Sequence, residues 1–266
     1  MGAAVFGLSI HCGATLGNVR IYPILGGIVM TLSDDLSSDV QGIIDKLWNT
    51  RKGQKVPSTT DVALSGGAVE LDATFLYADM ADSSKMVEEL DRRVAAKILK
   101  SFLATTARIV RYHGGSIVSF DGDRILGVFM GDSKNTAAAK CALEIKYTVI
   151  NIIRTKFENK YNSVKNASFT ISHGVGVDTG TVLAVRAGAR GDNDLIWIGR
   201  APNLAAKLSD LRESPFHTFI TASVYNLLND SSKYGGRDNK NMWERRTWAF
   251  LGKTIIVYRS SWWWKP

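Results

Sequence analysis

Two aspartates stand where a carboxylate is held rigidly. Asp79 closes an apolar run over residues 69–80, and Asp123 follows Asp121-Gly122 in a stretch that reads as a tight hairpin turn. A carboxylate at a strand end or in a hairpin turn projects from a stiff element into space beside the sheet. If the two strands pair, the carboxylates converge, and two converging carboxylates are costly without a cation between them. Hard oxygen donors of this kind suit Mg²⁺ or Mn²⁺, which share their coordination with phosphate oxygens. Two such ions suit an in-line displacement at phosphorus. Taken singly, each aspartate reads as no more than a helix cap or a turn residue, Asp82 included.

The elements around them alternate in type. Asp34 or Asp35 is placed to cap a helix through Val40, Ile43, Ile44 and Leu47, and residues 52–67 read as a polar linker. The run 69–80 has Leu71, Ala73, Phe75 and Tyr77 on one face of a buried strand. A helical stretch follows Asp82-Ser83-Ser84 and stops at Gly114-Gly115. Strands are expected at 116–120 and 124–130, then a helix from Asp132 or Ser133 to about Lys156. Further strands are expected at 169–177 and 182–187, with Thr179-Gly180 between them, and at 195–198. A helix opens near Ala201-Pro202, and strand material follows at 218–221 and 248–258. This order predicts an α+β fold, one mixed or antiparallel sheet with helices packed on it. The division expected is an extension over residues 1–68, with one helix and a linker, and a catalytic domain over 69–266.

Composition narrows the function classes. The chain has 266 residues and a formal net charge of +8, with no run of five like charges, which argues against a nucleic-acid tract. Cys12 and Cys141 form neither a metal spacing nor a disulfide framework, so a reducing, cytoplasmic setting is expected. The apolar start, residues 1–30, lacks the basic beginning of a secretory signal and is too interrupted to span a membrane. Met30 is an alternative natural start. His173 has no partner His or Cys at ligand spacing and reads as structural. The terminal Trp262-Trp263-Trp264 suits packing on the domain or association.

Four segments occur in a set order. These are Phe75-Leu-Tyr-Ala-Asp79-Met80, Asp121-Gly122-Asp123-Arg-Ile-Leu-Gly-Val-Phe129, His173-Gly174-Val-Gly-Val-Asp-Thr-Gly180, and Ile198-Gly199-Arg200-Ala-Pro-Asn203-Leu-Ala-Ala-Lys207-Leu208. Each is weak alone. Together they resemble the catalytic domain of the class III nucleotidyl cyclases, with its ferredoxin-like fold. The resemblance implies two divalent ions, Mn²⁺ or Mg²⁺, on Asp79 and Asp123, with the Met80 carbonyl completing one coordination sphere. It implies that Asn203 orients the ribose and that Lys207 stands where the family has an arginine acting on the α-phosphate. Lysine is a point charge where arginine is a planar fork. Asn203 and Lys207, four apart, share a helix face. Amides of Ala81, Asp82, Ser83 and Ser84 would receive the outer phosphates, and Arg190 falls near a triphosphate contact. In the family the ribose 3′-hydroxyl attacks the α-phosphorus, pyrophosphate leaves, and the sites lie between the two subunits of a homodimer.

At the base-reading positions the chain has Ser119 and Ile196, where adenylate cyclases carry a lysine and an Asp or Thr. A site lacking the purine's polar partners is a poor match for ATP. In style the chain resembles the pyrimidine cyclases of Pycsar anti-phage systems, which implies UTP or CTP as substrate and cyclic UMP or cyclic CMP as product. A non-catalytic nucleotide-binding relative and a purine cyclase stay open on these residues. A diguanylate cyclase or polymerase of related fold is disfavoured because its Gly-Gly-Asp/Glu-Glu-Phe signature is absent.

Overall fold

The computed structural model describes residues 31–189 and 191–266. Residues 1–30, Cys12 among them, and Arg190, for which expectations are given above, lie outside the described residues. Two compact units are separated between Lys46 and Leu47. The first contributes helix α1 (Leu32–Ile44), none of whose residues is buried. Its cap is Thr31 rather than Asp34 or Asp35. Thr31 Oγ1 accepts from the Asp34 amide, and the Asp34 carboxylate accepts in return from the Thr31 amide at 2.8 Å, a reciprocal capping box.

The second unit is built on a nine-stranded mixed sheet. Its elements run β1 (Asn49–Lys52), β2 (Gly67–Met80), α2 (Ser83–Glu89), α3 (Arg92–Tyr112), β3 (Ser116–Asp121), β4 (Arg124–Phe129) and α4 (Lys134–Tyr147). A π-helical stretch (Thr148–Arg154) continues α4 into α5 (Thr155–Lys160), followed by α6 (Asn162–Lys165), β5 (His173–Gly188), β6 (Asn193–Ile198), α7 (Arg200–Ser209) and β7 (Thr218–Thr221). The chain ends with α8 (Ala222–Asn226), α9 (Asp230–Lys233), the small pair β8 (Tyr234–Gly235) and β9 (Lys240–Asn241), β10 (Glu244–Phe250) and β11 (Lys253–Ser260). The strand order is β10-β11-β7-β5-β2-β4-β3, with β1 on the start of β2 and β6 on the end of β5. The β5–β7 and β1–β2 pairs are parallel; the other pairs of this sheet are antiparallel.

Strand β2 is central and buries both faces, as its near-continuous apolar run requires. Leu76, Ala78 and Met80 pack with residues of α3 and α4, including Ile98, Phe102, Ala138 and Leu143. Val69, Leu71, Ala73 and Phe75 face the other way, against Ala201 and Ala205 of α7. Each fully buried Val, Leu, Ile, Phe or Met side chain among these is worth ~1.5–3 kcal/mol.

Five expectations are corrected. The stretch read as a linker is preceded by β1, which pairs in register Asn49↔Gly67 to Lys52↔Glu70, and it buries Val62. Strand pairing therefore begins well before Val69. The helix after Asp82 is two helices, because Leu90 is extended and the Asp91 side chain accepts from the Arg93 amide to start α3. The helix expected to end near Lys156 runs through the π turn to Lys160. Thr179-Gly180 is not a turn: β5 is unbroken over sixteen residues, and Thr179 Oγ1 is tied to Thr74 and to the Ala73 carbonyl. Residues 169–172 precede that strand rather than belonging to it.

Candidate active site

Strand pairing sets the centre. Asp79 lies opposite Arg124 of β4 and Gly174 of β5. The β3–β4 hairpin turns at Gly122-Asp123, with Gly122 at φ 59° in the first central position, as in a type II′ turn. The Met80 amide donates to the Asp123 carbonyl at 3.4 Å, so the turn abuts the end of β2. Asp79 and Asp123 are therefore brought together by the sheet.

Asp79 is 6% exposed. Arg212 donates from Nη2 to Asp79 Oδ2 at 2.7 Å, and Arg124 from Nε to Oδ1 at 3.4 Å. Arg124 also donates from Nη2 to Asp210 at 2.9 Å, and Lys207 Nζ lies 3.9 Å from the same carboxylate. Burial pushes the Asp79 carboxyl above its ordinary range. The Arg124 charge opposes that shift, the Asp123 charge adds to it, and Arg212 opposes it again. A buried carboxylate with a second carboxylate beside it in a partly dry site forms a cation-binding donor set, and the two guanidinium groups hold part of that role. Among the described residues no group of three or more His, Cys, Asp or Glu could hold a metal. A divalent ion on Asp79 and Asp123 would thus draw further oxygen ligands from elsewhere, as Mg²⁺ commonly does from substrate phosphates. The residues present fit such an ion.

The other expected site residues divide. The Ala81 amide is committed to the Ser172 carbonyl at 3.0 Å, so it is not free to receive a phosphate. Asp82 occupies the cap position of α2 in a left-handed conformation (φ 55°), and its side chain makes no cap hydrogen bond. Ser83 and Ser84 open α2 beside it. Ser119 pairs with Leu126, which pairs with Tyr77, two residues before Asp79 on the same face. Asn203 and Lys207 share the exposed face of α7, as their spacing implies. Asn203 Nδ2 donates to the Gly199 carbonyl at 3.3 Å and lies about two helical turns from Asp210. Ile196 is distant. It pairs with Val185, which pairs with Ala68, eleven residues up β2 from Asp79, or about 35 Å along an extended strand. One chain thus unites Asp79, Met80, Asp123 and Ser119, and leaves Ile196 away from them.

Arg124, Asp210 and Arg212 were missed by sequence reasoning. Arg124 directly follows Asp123 and carried a weak signal. Asp210 and Arg212 lie in an irregular segment after α7 and carried none. Gly174 makes room for Arg212, since a Cβ there would overlap the Ser209 carbonyl and the Arg212 guanidinium.

Among the described residues no helix is long and apolar enough to cross a membrane. The terminal tryptophans pack back on the fold, with the Trp264 amide donating to the Leu143 carbonyl at 3.2 Å and Trp263 against Tyr147.

Residues 70–254 match the family described as the adenylate and guanylate cyclase catalytic domain. The chain is 59% identical over 237 residues to a uridylate cyclase of Rhodovulum sp. (strain MB263), covering 89% of this chain and 99% of that one. It is 42% identical over 237 residues to a uridylate cyclase of Burkholderia cepacia, covering 88% and 99%. Among solved structures, the adenylyl cyclase CyaB from P. aeruginosa superposes with a TM-score of 0.60 at 20% identity, over 73% of this chain and 95% of that one. The expected α+β cyclase architecture is thus borne out, and the chain belongs to the adenylate and guanylate cyclase catalytic domain family.

Proposed function

We propose that the chain is a pyrimidine nucleotide cyclase that converts UTP, or CTP, to the 3′,5′-cyclic monophosphate and pyrophosphate. The observation that carries this reading is the convergence of Asp79 and Asp123 at the end of β2, in a chain 59% identical to a protein named uridylate cyclase. Asp79 and Asp123 would hold two divalent ions, Mn²⁺ or Mg²⁺, with the Met80 carbonyl. Bound there, the ions supply charge neutralisation and an acidified ribose hydroxyl. The chain's own groups do the rest. Ser83 and Ser84 with Asp82 flank the outer phosphates, with Arg190 as a further contact. Ser119 and Ile196 leave the base pocket without the polar pair a purine needs. Asn203 orients the ribose, and Lys207 places positive charge beside the α-phosphate.

Asn203, Lys207 and Ile196 act from the second subunit of a homodimer. Supporting this, Asn203 and Lys207 face solvent, Ile196 and Ile198 leave an apolar strand face exposed, and Ile196 cannot reach Asp79 of its own chain. The enzyme would serve as a cytoplasmic second-messenger synthase in bacterial defence against phage.

Incubation with Mn²⁺ and each of the four nucleoside triphosphates tests the reading. A cyclic pyrimidine nucleotide is expected, and no product from folded, dimeric protein overturns it. Asp79→Ala and Asp123→Ala should each abolish turnover. Mixing Asp79→Ala with Asn203→Ala chains should restore up to about a quarter of wild-type activity, because half the dimers then hold one intact site of two. A mixture as inactive as its parents refutes the shared site.

A further inference from the structure

A cavity of about 700 Å³ lies beside Ala81 and Asp82. It is bordered by α4 with its π-helical extension, residues 211–217 and the C-terminal tail. One of its walls belongs to the sheet face opposite Asp79. Asp79 pairs with Gly174 and Met80 with His173, and neighbours along a strand point to opposite faces.

The cavity walls are cationic beyond what their carboxylates neutralise. Lys146 is 5% exposed, and its ammonium donates to the carbonyls of Pro215 at 2.8 Å and Ser261 at 2.6 Å. An ammonium has three N–H donors, so one is left over. Arg154 gives its Nε to the Ile171 carbonyl at 2.8 Å, and its terminal nitrogens have no partner among the described residues. Lys85 adds a further charge, and Arg212 borders the cavity with its charge paired to Asp79. Of the two carboxylates on the lining, Glu213 is already bound by Arg246 and Arg259, and Asp82 is an exposed residue. His173, 1% exposed, stacks on His217, and neither of its ring nitrogens has a hydrogen-bond partner. Burial brings the Lys146 pKa down to about 8, with no carboxylate to oppose it.

A buried cation without a counter-ion and a buried imidazole without a partner are each costly. Both costs are met when an anion with several acceptor oxygens occupies the space. A phosphate group offers such oxygens, and the volume lies in the range of small-molecule sites. We propose that this cavity, which shares its Asp82 rim with the outer-phosphate positions but opens on the sheet face opposite Asp79, is a second anion site that takes a small phosphate-bearing molecule against Lys146, Arg154 and His173. Arg212 borders the cavity and also donates to Asp79, so occupancy of one site is felt at the other.

Calorimetric titration of the full chain in EDTA tests this, because chelation removes the divalent ions that phosphate at Asp79 and Asp123 would require. The probes are orthophosphate, pyrophosphate and UMP. Saturable binding of at least one, at one per chain, is expected. Tighter binding of pyrophosphate assigns an oligophosphate, and tighter binding of UMP a nucleotide. Lys146→Met should weaken binding about tenfold or more, the worth of one charge-assisted hydrogen bond. Arg154→Gln should do the same and serves where Lys146→Met fails to fold. Asp123→Ala should leave binding unchanged. No saturable binding to folded protein, unchanged affinity in both basic-residue variants, or loss of binding in Asp123→Ala each overturns the proposal.

Discussion

Helix α7 lies on β5 at positions where only glycine fits, and this makes Gly176→Ala a sharp test of how Asn203 and Lys207 are positioned. A Cβ at Gly176 would stand 2.0 Å from the Ala205 carbonyl oxygen, 2.5 Å from the Ser209 nitrogen and 2.7 Å from the Leu208 Cβ. None of these atoms is the free end of a flexible side chain, so only movement of α7 as a body makes room. Ordinary contact needs about 3.5 Å, which asks the helix to lift by roughly 1.5 Å. Overpacking of this kind costs ~1–3 kcal/mol. In a unit of this size each kcal/mol lowers Tm by ~2–4 °C, so a fall of roughly 2–12 °C is expected in a circular-dichroism melt. A displacement of ~1 Å in groups that orient substrate costs on the order of a hundredfold in rate. Turnover of the preferred triphosphate with Mn²⁺ should therefore drop on that order even well below Tm. Gly127→Ala is the contrast: its Cβ would meet side-chain methyls of Val110 at 2.9 and 3.3 Å, which asks for a shift of roughly 0.6 Å rather than 1.5 Å, and it lies on the far side of the sheet from α7. A Gly176→Ala protein with wild-type melting and turnover would refute the reasoning.

Two further outcomes follow from buried polar groups. The native Lys146 sheds its proton near pH 8 against an ordinary value of 10.5, so between those values the unfolded chain binds more protons and native stability rises with pH. In urea unfolding, wild type should gain on Lys146→Met from pH 8 to 10.5, with a constant difference from pH 6 to 7; a difference flat across both ranges contradicts this. Thr221→Val removes the 2.5 Å hydrogen bond to the fully buried Asp178 and leaves that carboxylate to the Thr179 amide and a long contact with Arg200. It should destabilise by ~1.5–3 kcal/mol, and a loss below ~0.5 kcal/mol by chemical denaturation would be inconsistent with the role assigned to the bond.

The strands that were legible have local causes. Thr218–Thr221 is a short buried run, and β3 and β4 flank a Gly-containing hairpin turn, so composition alone defines them. Two elements were illegible for opposite reasons. β1 is Asn-Thr-Arg-Lys, all exposed, and becomes a strand only because the start of β2 offers it main-chain partners. β5 looked broken because Thr179-Gly180 resembles a turn, whereas Gly180 continues the strand, and Gly174 and Gly176 in the same strand serve close approach by Arg212 and α7. A glycine that turns a chain and a glycine that admits a helix are the same letter, and only the partner tells them apart.

The candidate site divides along the same line. Asp79 and Asp123 were legible because a strand end and a hairpin turn are local features that the sheet then joins. Arg212 lies 133 residues from Asp79 in an irregular segment, and nothing local marks it as the cation that holds that carboxylate. Ile196 shows the converse. It stands seven residues before Asn203 and reads as part of the same pocket, yet the register of β6 on β5 carries it about 35 Å from Asp79. No side-chain rearrangement within a strand spans that distance. If Ile196 reads the base at the centre that Asp79 anchors, it does so from another copy of the chain. A monomeric active enzyme would therefore remove Ile196 from the base pocket while leaving Asp79 and Asp123 untouched.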